Sequence, residues 1–162
     1  MALWCTMNVQ THFLLPFLIG MILVEFKVLS VEMALLCGIF GVLVDIDHYI
    51  EHILHAKSNR FSVLAAWNNA VVYHRFEQRS FIHHMLGFIL LTAIFLLVYL
   101  FNPVLSIALF VGYYSHMLLD YIPLRKDKFV HLHISRMFFN EPTGEVFLDI
   151  ILILLTSTFI FI

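Results

Sequence analysis

Five apolar stretches separated by polar ones run along the chain, and their lengths predict helices that cross a membrane. They cover roughly residues 13–24 (or on to 29), 31–50, 85–101, 104–119 and 146–162. Most are at or just below the roughly 17–25 residues that a helix needs to span a bilayer, a shortfall that local thinning of the bilayer accommodates. Asn102-Pro103 ends the third stretch and precedes the fourth, which predicts a tight helical hairpin. The pattern therefore predicts an all-α fold, a polytopic membrane bundle of about five transmembrane helices.

The composition agrees with an integral membrane protein. Of the 162 residues, 62% are hydrophobic and only 12% are charged, and the mean hydropathy is +0.94. A soluble domain has about 45–50% apolar and about 25% charged residues. The length suits one domain, which we take as residues 1–162. The formal net charge of −2 argues against a nucleic-acid partner. The apolar composition makes the lipid bilayer the expected partner.

Lysine and arginine are divided unevenly between the two membrane sides that five alternating spans define. Lys27 lies near a loop on one side, and the other eight of the nine basic residues lie on the opposite side. The positive-inside rule makes the basic side cytoplasmic, with the N-terminus inside and the C-terminus outside the plasma or inner membrane. All ten histidines fall on this same side. The topology therefore predicts a polar, histidine-rich layer at the cytoplasmic ends of the helices.

Carboxylates and imidazoles arrive together at the end of the second apolar stretch, in Asp45-Ile46-Asp47-His48. Such groups are costly at a membrane helix end unless they are paired or coordinated, and together they form a ligand set for a divalent metal. Asp45 and His48 are the candidate ligands, and Asp47 is a second carboxylate able to bridge metals or orient a ligand. The alternative is a solvated polar helix end. His52 and His55 would continue the same helical face, and we favour solvation for them.

Two further positions carry ionisable groups inside apolar sequence. His116 and Asp120 lie four residues apart in the fourth stretch, so both side chains point the same way and can bind one ion. The alternative is a capping aspartate bonded to a structural histidine. His12 begins the first stretch as a lone histidine, and it becomes a candidate ligand only because it falls in the same layer.

The third stretch is entered through Gln78-Arg79-Ser80-Phe81-Ile82-His83-His84. One of the two histidines lies at the depth of the other candidates, and we favour His83. Arg79 could bind a phosphate bidentately, or it could serve as a basic juxtamembrane anchor.

Glu145 and Asp149 are four residues apart at the start of the fifth stretch. Because Asp149 lies in apolar sequence, it requires a partner. It is either a carboxylate that supports the metal site or an ion-pair partner for Arg79 or Arg136. His131 and His133 alternate with apolar residues, which suits a short strand or an irregular loop.

Taken together, these motifs resemble a known family. A histidine near the N-terminus, Asp45-x-Asp47-His48, Arg79-x-x-x-His83 and His116-x-x-x-Asp120 are similar to the motifs of the predicted membrane-bound metal-dependent hydrolases, which include a LexA-regulated bacterial inner-membrane member. Gln78 stands where that family has histidine. The His-x-x-x-Asp element is also distantly similar to that of zinc-dependent phospholipase C and P1-type nucleases, which implies a phosphoester substrate.

These observations predict a membrane-embedded, metal-dependent hydrolase. The expected metal ligands are His12, Asp45, His48, His83, His116 and Asp120. Zinc is favoured by the mixed ligands, with Mn or Mg left open, as one ion or more. Bound metal would activate a water nucleophile, Asp47 would act as general base or bridging ligand, and Arg79 would neutralise the phosphate. The depth of the layer points to a phosphoester of a lipid in the head-group region.

Two rival functions fit the same residues. Intramembrane histidine and aspartate also mark ion pathways, so a metal-ion or proton transporter or channel is the first rival. A pathway needs polar groups on both sides of the bilayer midplane, whereas here they crowd one side. The second rival is a structural membrane subunit whose histidines bind a metal. The sequence leaves the oligomeric state open.

Overall fold

The structure, a computed structural model, is an assembly of apolar helices with one small β-hairpin, described for residues 9–71, 81–121, 129–134 and 137–160. Its elements are α1 (Val9–Glu25), α2 (Val31–Leu43), α3 (Ile46–His55), α4 (Val63–Val71), a 3₁₀ turn (Phe81–His83), α5 (Met85–Phe101), α6 (Pro103–Tyr121), β1 (Phe129–Ile134), β2 (Met137–Pro142) and α7 (Thr143–Ile160). Four of the five apolar stretches each coincide with one helix, and the second is divided between α2 and α3. The predicted helical membrane bundle is therefore confirmed.

The candidate membrane spans differ in length. In the described part of the chain, three segments are long and apolar enough to cross a membrane: Val31–His55, Pro103–Asp120 and Thr143–Ile160. The other two predicted spans, α1 and α5, are apolar helices of 17 residues. The outward faces of α5 and α7 carry many exposed leucines and isoleucines, as a lipid-facing surface requires.

The second predicted span is not one continuous helix, which corrects the sequence prediction. α2 ends at Leu43 and α3 begins at Ile46, with a turn between them. Asp45 lies in this turn with φ −73° and ψ 0°, and its side chain makes no capping hydrogen bond to α3. The break releases the Asp45 carboxylate from the helix face that the sequence suggested. The carboxylate is therefore available to groups on other helices.

Close packing around α2 rests on small residues. A Cβ atom added to Gly20 of α1 would lie 2.7 Å from the Cα atom of Ala34, and one added to Gly112 of α6 would lie 2.9 Å from the carbonyl oxygen of Cys37. Glycine at these positions lets α1 and α6 approach the backbone of α2 on two sides, as small residues do between membrane helices. α2 is therefore held between α1 and α6, and all three present their polar ends to the same region.

The predicted helical hairpin at Asn102-Pro103 is confirmed. The Asn102 side chain accepts a hydrogen bond from the Leu105 backbone N–H (3.0 Å), and Pro103 occupies the first position of α6, where no amide donor is needed. Across the hairpin, Phe95 and Tyr113 pack edge to face in a buried cluster. This packing places the start of α5 beside the end of α6.

The β-hairpin joins α6 to α7. β1 and β2 pair antiparallel, with Phe129 opposite Pro142 and Ile134 opposite Met137. His131 and His133 lie on β1, so of the two predicted alternatives the short strand is observed and the irregular loop is not. The hairpin is a small β element attached to a helical bundle.

Candidate metal centre

The polar ends of four membrane helices and the flanking turns meet in one buried cluster, which we call the His/Asp cluster. Its members are His12, Asp45, Asp47, His48, His83, His116 and Asp120. The structure therefore brings together all six residues that the sequence predicts as ligands, along with Asp47. It also separates the two adjacent histidines, since His83 is buried in the cluster and His84 is exposed at the start of α5.

His116 is fixed by a backbone contact. Its Nδ1 atom donates a hydrogen bond to the Gly41 carbonyl oxygen at 2.8 Å. The Gly41 backbone is in turn pressed against α1, because an added Cβ atom would lie 2.7 Å from Pro16 Cγ and would contact the His12 carbonyl oxygen. With Nδ1 donating, the neutral imidazole carries its lone pair on Nε2. That atom points into the cluster.

His83 is fixed in the same manner by a carboxylate. Its Nδ1 atom donates to Asp47 Oδ2 at 2.8 Å, and its Nε2 atom lies 3.1 Å from His116 Nε2 and 3.2 Å from Asp120 Oδ2. A histidine whose second nitrogen donates to a carboxylate is the usual arrangement beside a protein-bound metal. Burial acts to lower the pKa of His83, but hydrogen bonds to Asp120 and Asp47 outweigh it and raise the pKa to about 9.

The remaining separations are too long for hydrogen bonds and suit a shared cation. His12 Nε2 lies 3.5 Å from Asp120 Oδ1 and 3.8 Å from Asp45 Oδ2. His116 Nε2 lies 3.5 Å from Asp45 Oδ1 and 3.6 Å from Asp120 Oδ2. Ligands about 2.0–2.1 Å from a tetrahedral zinc ion are roughly 3.3–3.4 Å apart. The distances are therefore close to the edges of a coordination polyhedron.

Several buried polar atoms of the cluster have no hydrogen-bond partner among the described residues. They are both ring nitrogens of His12, Asp45 Oδ1, His48 Nε2 and Asp120 Oδ1. Buried polar groups without partners are costly, and buried carboxylates are costlier still unless a cation compensates them. The donor set of imidazole nitrogens and carboxylate oxygens therefore fits a divalent ion, and the same observation would not be expected of a purely structural network.

Three overlapping groups of side chains could each hold an ion. They are His12 with His116 and Asp120, Asp45 with His83 and His116, and Asp45 with Asp47 and His48. The first and third groups share no residue, so the cluster has room for one ion or two. The histidine side chains of the first group are 0% exposed and that of Asp120 is 5% exposed. The side chains of Asp45 and His48, which lie 3.7 Å apart, are 17% and 20% exposed. The cluster is therefore accessible from the Asp45 side.

His52 and His55 are not part of the cluster. His52 is buried, with Nε2 3.2 Å from the Asn59 carbonyl oxygen and Nδ1 3.1 Å from the Asn69 amide nitrogen. His55 is exposed and lies 2.9 Å from the Glu51 carboxylate on its own helix. His52 thus holds the loop between α3 and α4 instead of being solvated, which corrects the sequence prediction. Among the described residues, neither His52 nor His55 belongs to a group of side chains that could hold an ion.

A second polar group links α1 to α7. The Thr11 hydroxyl lies 2.9 Å from Glu145 Oε1 and 2.8 Å from Asp149 Oδ1, and all three side chains are buried. Asp149 therefore has a partner on the residue next to His12. The predicted alternatives, Arg79 and Arg136, lie outside the described residues, so the phosphate-binding role of Arg79 stays a prediction.

Two residues that support the site were not predicted from the sequence. Gly41 orients His116 through its carbonyl oxygen, and Thr11 connects α1 to the carboxylates of α7. A spacing signal existed for Gly41, because Gly38 and Gly41 lie on α2 where close helix packing is expected. Thr11 carried no such signal, because its partner Glu145 is 134 residues away in the chain.

Comparison with known proteins identifies a membrane protein family. The profile of the family described as YdjM inner membrane protein matches residues 7–159. No curated protein and no solved structure matches the chain. The family match confirms the expected integral membrane protein. The hydrolase activity and the likeness to zinc-dependent phospholipase C and P1-type nucleases stay predictions.

Proposed function

We propose that this chain, which belongs to the YdjM inner membrane protein family, is a membrane-embedded, metal-dependent hydrolase that cleaves a phosphoester of a membrane lipid. The observation that carries the proposal is the His/Asp cluster. Four imidazoles and three carboxylates converge at the ends of apolar helices, with buried atoms that lack hydrogen-bond partners among the described residues. Such groups in a membrane protein are rare without a functional role.

Each side chain has a role in this proposal. The metal would be held by His12, Asp45, His48, His83, His116 and Asp120. Zinc is the first candidate because imidazole and carboxylate are mixed, and Mn or Mg would suit the carboxylates. When bound, such an ion supplies Lewis acidity, which activates water near neutral pH and offsets negative charge on a phosphoester.

The chain's own residues then supply orientation and proton transfer. Gly41 and Asp47 hold the rings of His116 and His83, each through its Nδ1 atom, so that both Nε2 atoms point to one place. Asp45, the most exposed carboxylate of the cluster, or Asp47, which is buried beside His83, would take the proton from the attacking water. Water would form the new phosphorus–oxygen bond, the ester bond would break, and the leaving oxygen would take up a proton. Arg79, outside the described residues, keeps its proposed contact with the phosphate.

The depth of the cluster favours a lipid substrate. The cluster lies where α1 and α7 begin and where α6 ends, which is the level at which lipid head groups meet helix ends. The eight-to-one bias of basic residues supports a cytoplasmic position for this layer, with the N-terminus inside. A phospholipid or another lipid phosphate could reach Asp45 and His48 without leaving the bilayer.

A transporter is supported less well. A pathway across the bilayer would need ionisable or hydrated groups in the opposite half of the bundle. Among the described residues of that half, the buried polar side chains include Ser106 and Thr156, and each donates its hydroxyl to a backbone carbonyl (Phe95 and Leu152). They are satisfied locally, so we favour hydrolysis over transport.

Metal analysis joined to an activity screen tests the proposal. Protein purified in detergent should contain close to one or two equivalents of a divalent metal. It should hydrolyse a phospholipid or phosphodiester in a reaction that chelator abolishes and added metal restores. Absence of bound metal, together with unchanged behaviour of Asp45→Ala and His116→Ala, would overturn the proposal. Metal flux in proteoliposomes without hydrolysis would favour the transporter instead.

A further inference from the structure

A groove is lined by residues of α1, α2, α4 and α7. Its volume is 550 Å³ and its walls are mostly apolar. The residues that matter here are Gln10 and Leu14 of α1, Val42 of α2, Trp67 of α4, and Asp149 and Ile153 of α7. Ile153 is more than half exposed, so the groove is continuous with the lipid-facing surface of α7.

The lining changes from polar to apolar along the helices. Gln10 and Asp149 lie at the level where Thr11 bonds to α7, next to the His/Asp cluster. Leu14 and Ile153 each follow four residues later on parallel helices, one turn or about 6 Å deeper. An amphiphile with its head at Asp149 and its chain along Leu14 and Ile153 would match this gradient. If water alone filled the groove, its apolar walls would stay in contact with water, which is unfavourable compared with contact with an acyl chain.

The head-group end of the groove carries the Asp149 carboxyl group, with Glu145 one helical turn away. The Thr11 hydroxyl has one proton to donate, yet it lies within hydrogen-bond distance of both Glu145 and Asp149. In the described part of the chain, no lysine, arginine or histidine pairs with Asp149, which faces the groove. Trp67 adds an indole to the lining of the same groove, and carboxylate with indole is a favourable surrounding for an ammonium group.

We propose that this groove binds a membrane lipid whose head group carries an ammonium, with the ammonium at Asp149 and part of an acyl chain between Leu14 and Ile153. Lipid binding at this place stands independently of metal chemistry. The additional step, that the bound lipid is the molecule hydrolysed at the neighbouring cluster, rests on the proposed function. It would make an amino-phospholipid the substrate class.

Lipid retention measured by native mass spectrometry tests the proposal. Full-length protein is taken from vesicles of equimolar phosphatidylethanolamine and phosphatidylglycerol, and the lipid left on it is identified. Wild type should retain phosphatidylethanolamine about tenfold over phosphatidylglycerol, and Asp149→Asn should remove that preference. N-acylated phosphatidylethanolamine, which lacks the positive charge, should be retained about tenfold less by wild type, a test that leaves the protein unchanged.

Filling the groove separates specific binding from general contact with lipid. Leu14→Trp and Ile153→Trp should each lower retention of phosphatidylethanolamine about tenfold or more, whereas Leu154→Trp, on the exposed face of α7 beside the groove, should not. Equal retention by wild type and both groove variants would overturn the proposal, as would an unchanged preference in Asp149→Asn. Metal content measured on the same preparations reports on the proposed hydrolase separately, because the groove variants leave every proposed ligand in place.

Discussion

The imidazoles of His83 and His116 face each other through their Nε2 atoms, 3.1 Å apart, while the Nδ1 atom of each donates to a partner on another element. Two neutral rings held in this manner would direct two lone pairs at each other. A proton or a metal ion between them removes the conflict. Hydrogen bonds to Asp120 and Asp47, which outweigh the effect of burial, raise the pKa of His83 to about 9, so a proton is the expected occupant when no metal is bound.

Replacing His116 should therefore remove metal binding. His116→Ala takes away a nitrogen shared by two of the three candidate ion groups, so we expect metal affinity to fall by more than the about 10–100-fold typical of losing an outer-shell partner. Metal content after dialysis, determined by mass spectrometry, is the measurement. His84→Ala is the matched control, because His84 is exposed and adjacent to His83. Retention of the full metal complement by His116→Ala would contradict the assignment.

Asp47 should act on the metal largely through His83. Asp47→Asn keeps the size of the side chain but weakens the contact that orients the His83 ring, so we expect metal affinity to fall about 10–100-fold without complete loss. Titration with a competing chelator gives the affinity. Glu51→Gln, on the same helix and paired with exposed His55, should leave it unchanged. If Asp47 bridges two ions, the stoichiometry of Asp47→Asn will instead fall to half.

Metal binding and metal-free stability should respond to pH in opposite directions. Because the pKa of His83 is raised from 6.5 to about 9, its protonation stabilises the metal-free fold fully below pH 6.5, and this stability is lost as the pH rises through 9. Metal must displace the same proton, so metal affinity should rise about tenfold per pH unit between these limits. Thermal unfolding with chelator and metal titration at pH 6.5, 7.5 and 8.5 measure the two trends. Parallel trends would show that His83 does not bind the metal.

Gly41 should be intolerant of a side chain. An added methyl group would contact the His12 backbone and lie 2.7 Å from Pro16 Cγ, so Gly41→Ala should separate α2 from α1 and destabilise the protein by about 1–3 kcal/mol. It should also weaken metal binding, because the Gly41 carbonyl orients His116. The midpoint of thermal unfolding in detergent and the metal content are the measurements. Ile39→Ala, exposed on the same helix, provides the control, and an unchanged Gly41→Ala protein would refute the packing account.

Much of the fold could be predicted because a membrane helix is specified by consecutive residues of the sequence. A run of apolar residues specifies a helix and its length, and Asn102-Pro103 specifies a turn, without reference to distant residues. The break at Asp45 was not predictable in this way, since the helical period continues through His48 and His52. The local pattern of apolar and polar residues therefore contains no signal for the end of α2 at Leu43.

The sequence by itself determined which residues could form the site. It also determined that they lie on the same side of the membrane, because successive apolar spans cross it in opposite directions and each candidate stands at the helix end on that side. It favoured His83 over His84 and gave less weight to His52 and His55. Only the tertiary structure decided which atom faces which: that Gly41 and Asp47 occupy the Nδ1 atoms of His116 and His83, and that Thr11 joins α1 to Asp149. These contacts depend on the rotation of each helix about its axis. That rotation is set by glycine-mediated packing between segments far apart in the chain. A periodic pattern in the sequence specifies which face of a helix is buried, but it does not specify which other helix packs against that face.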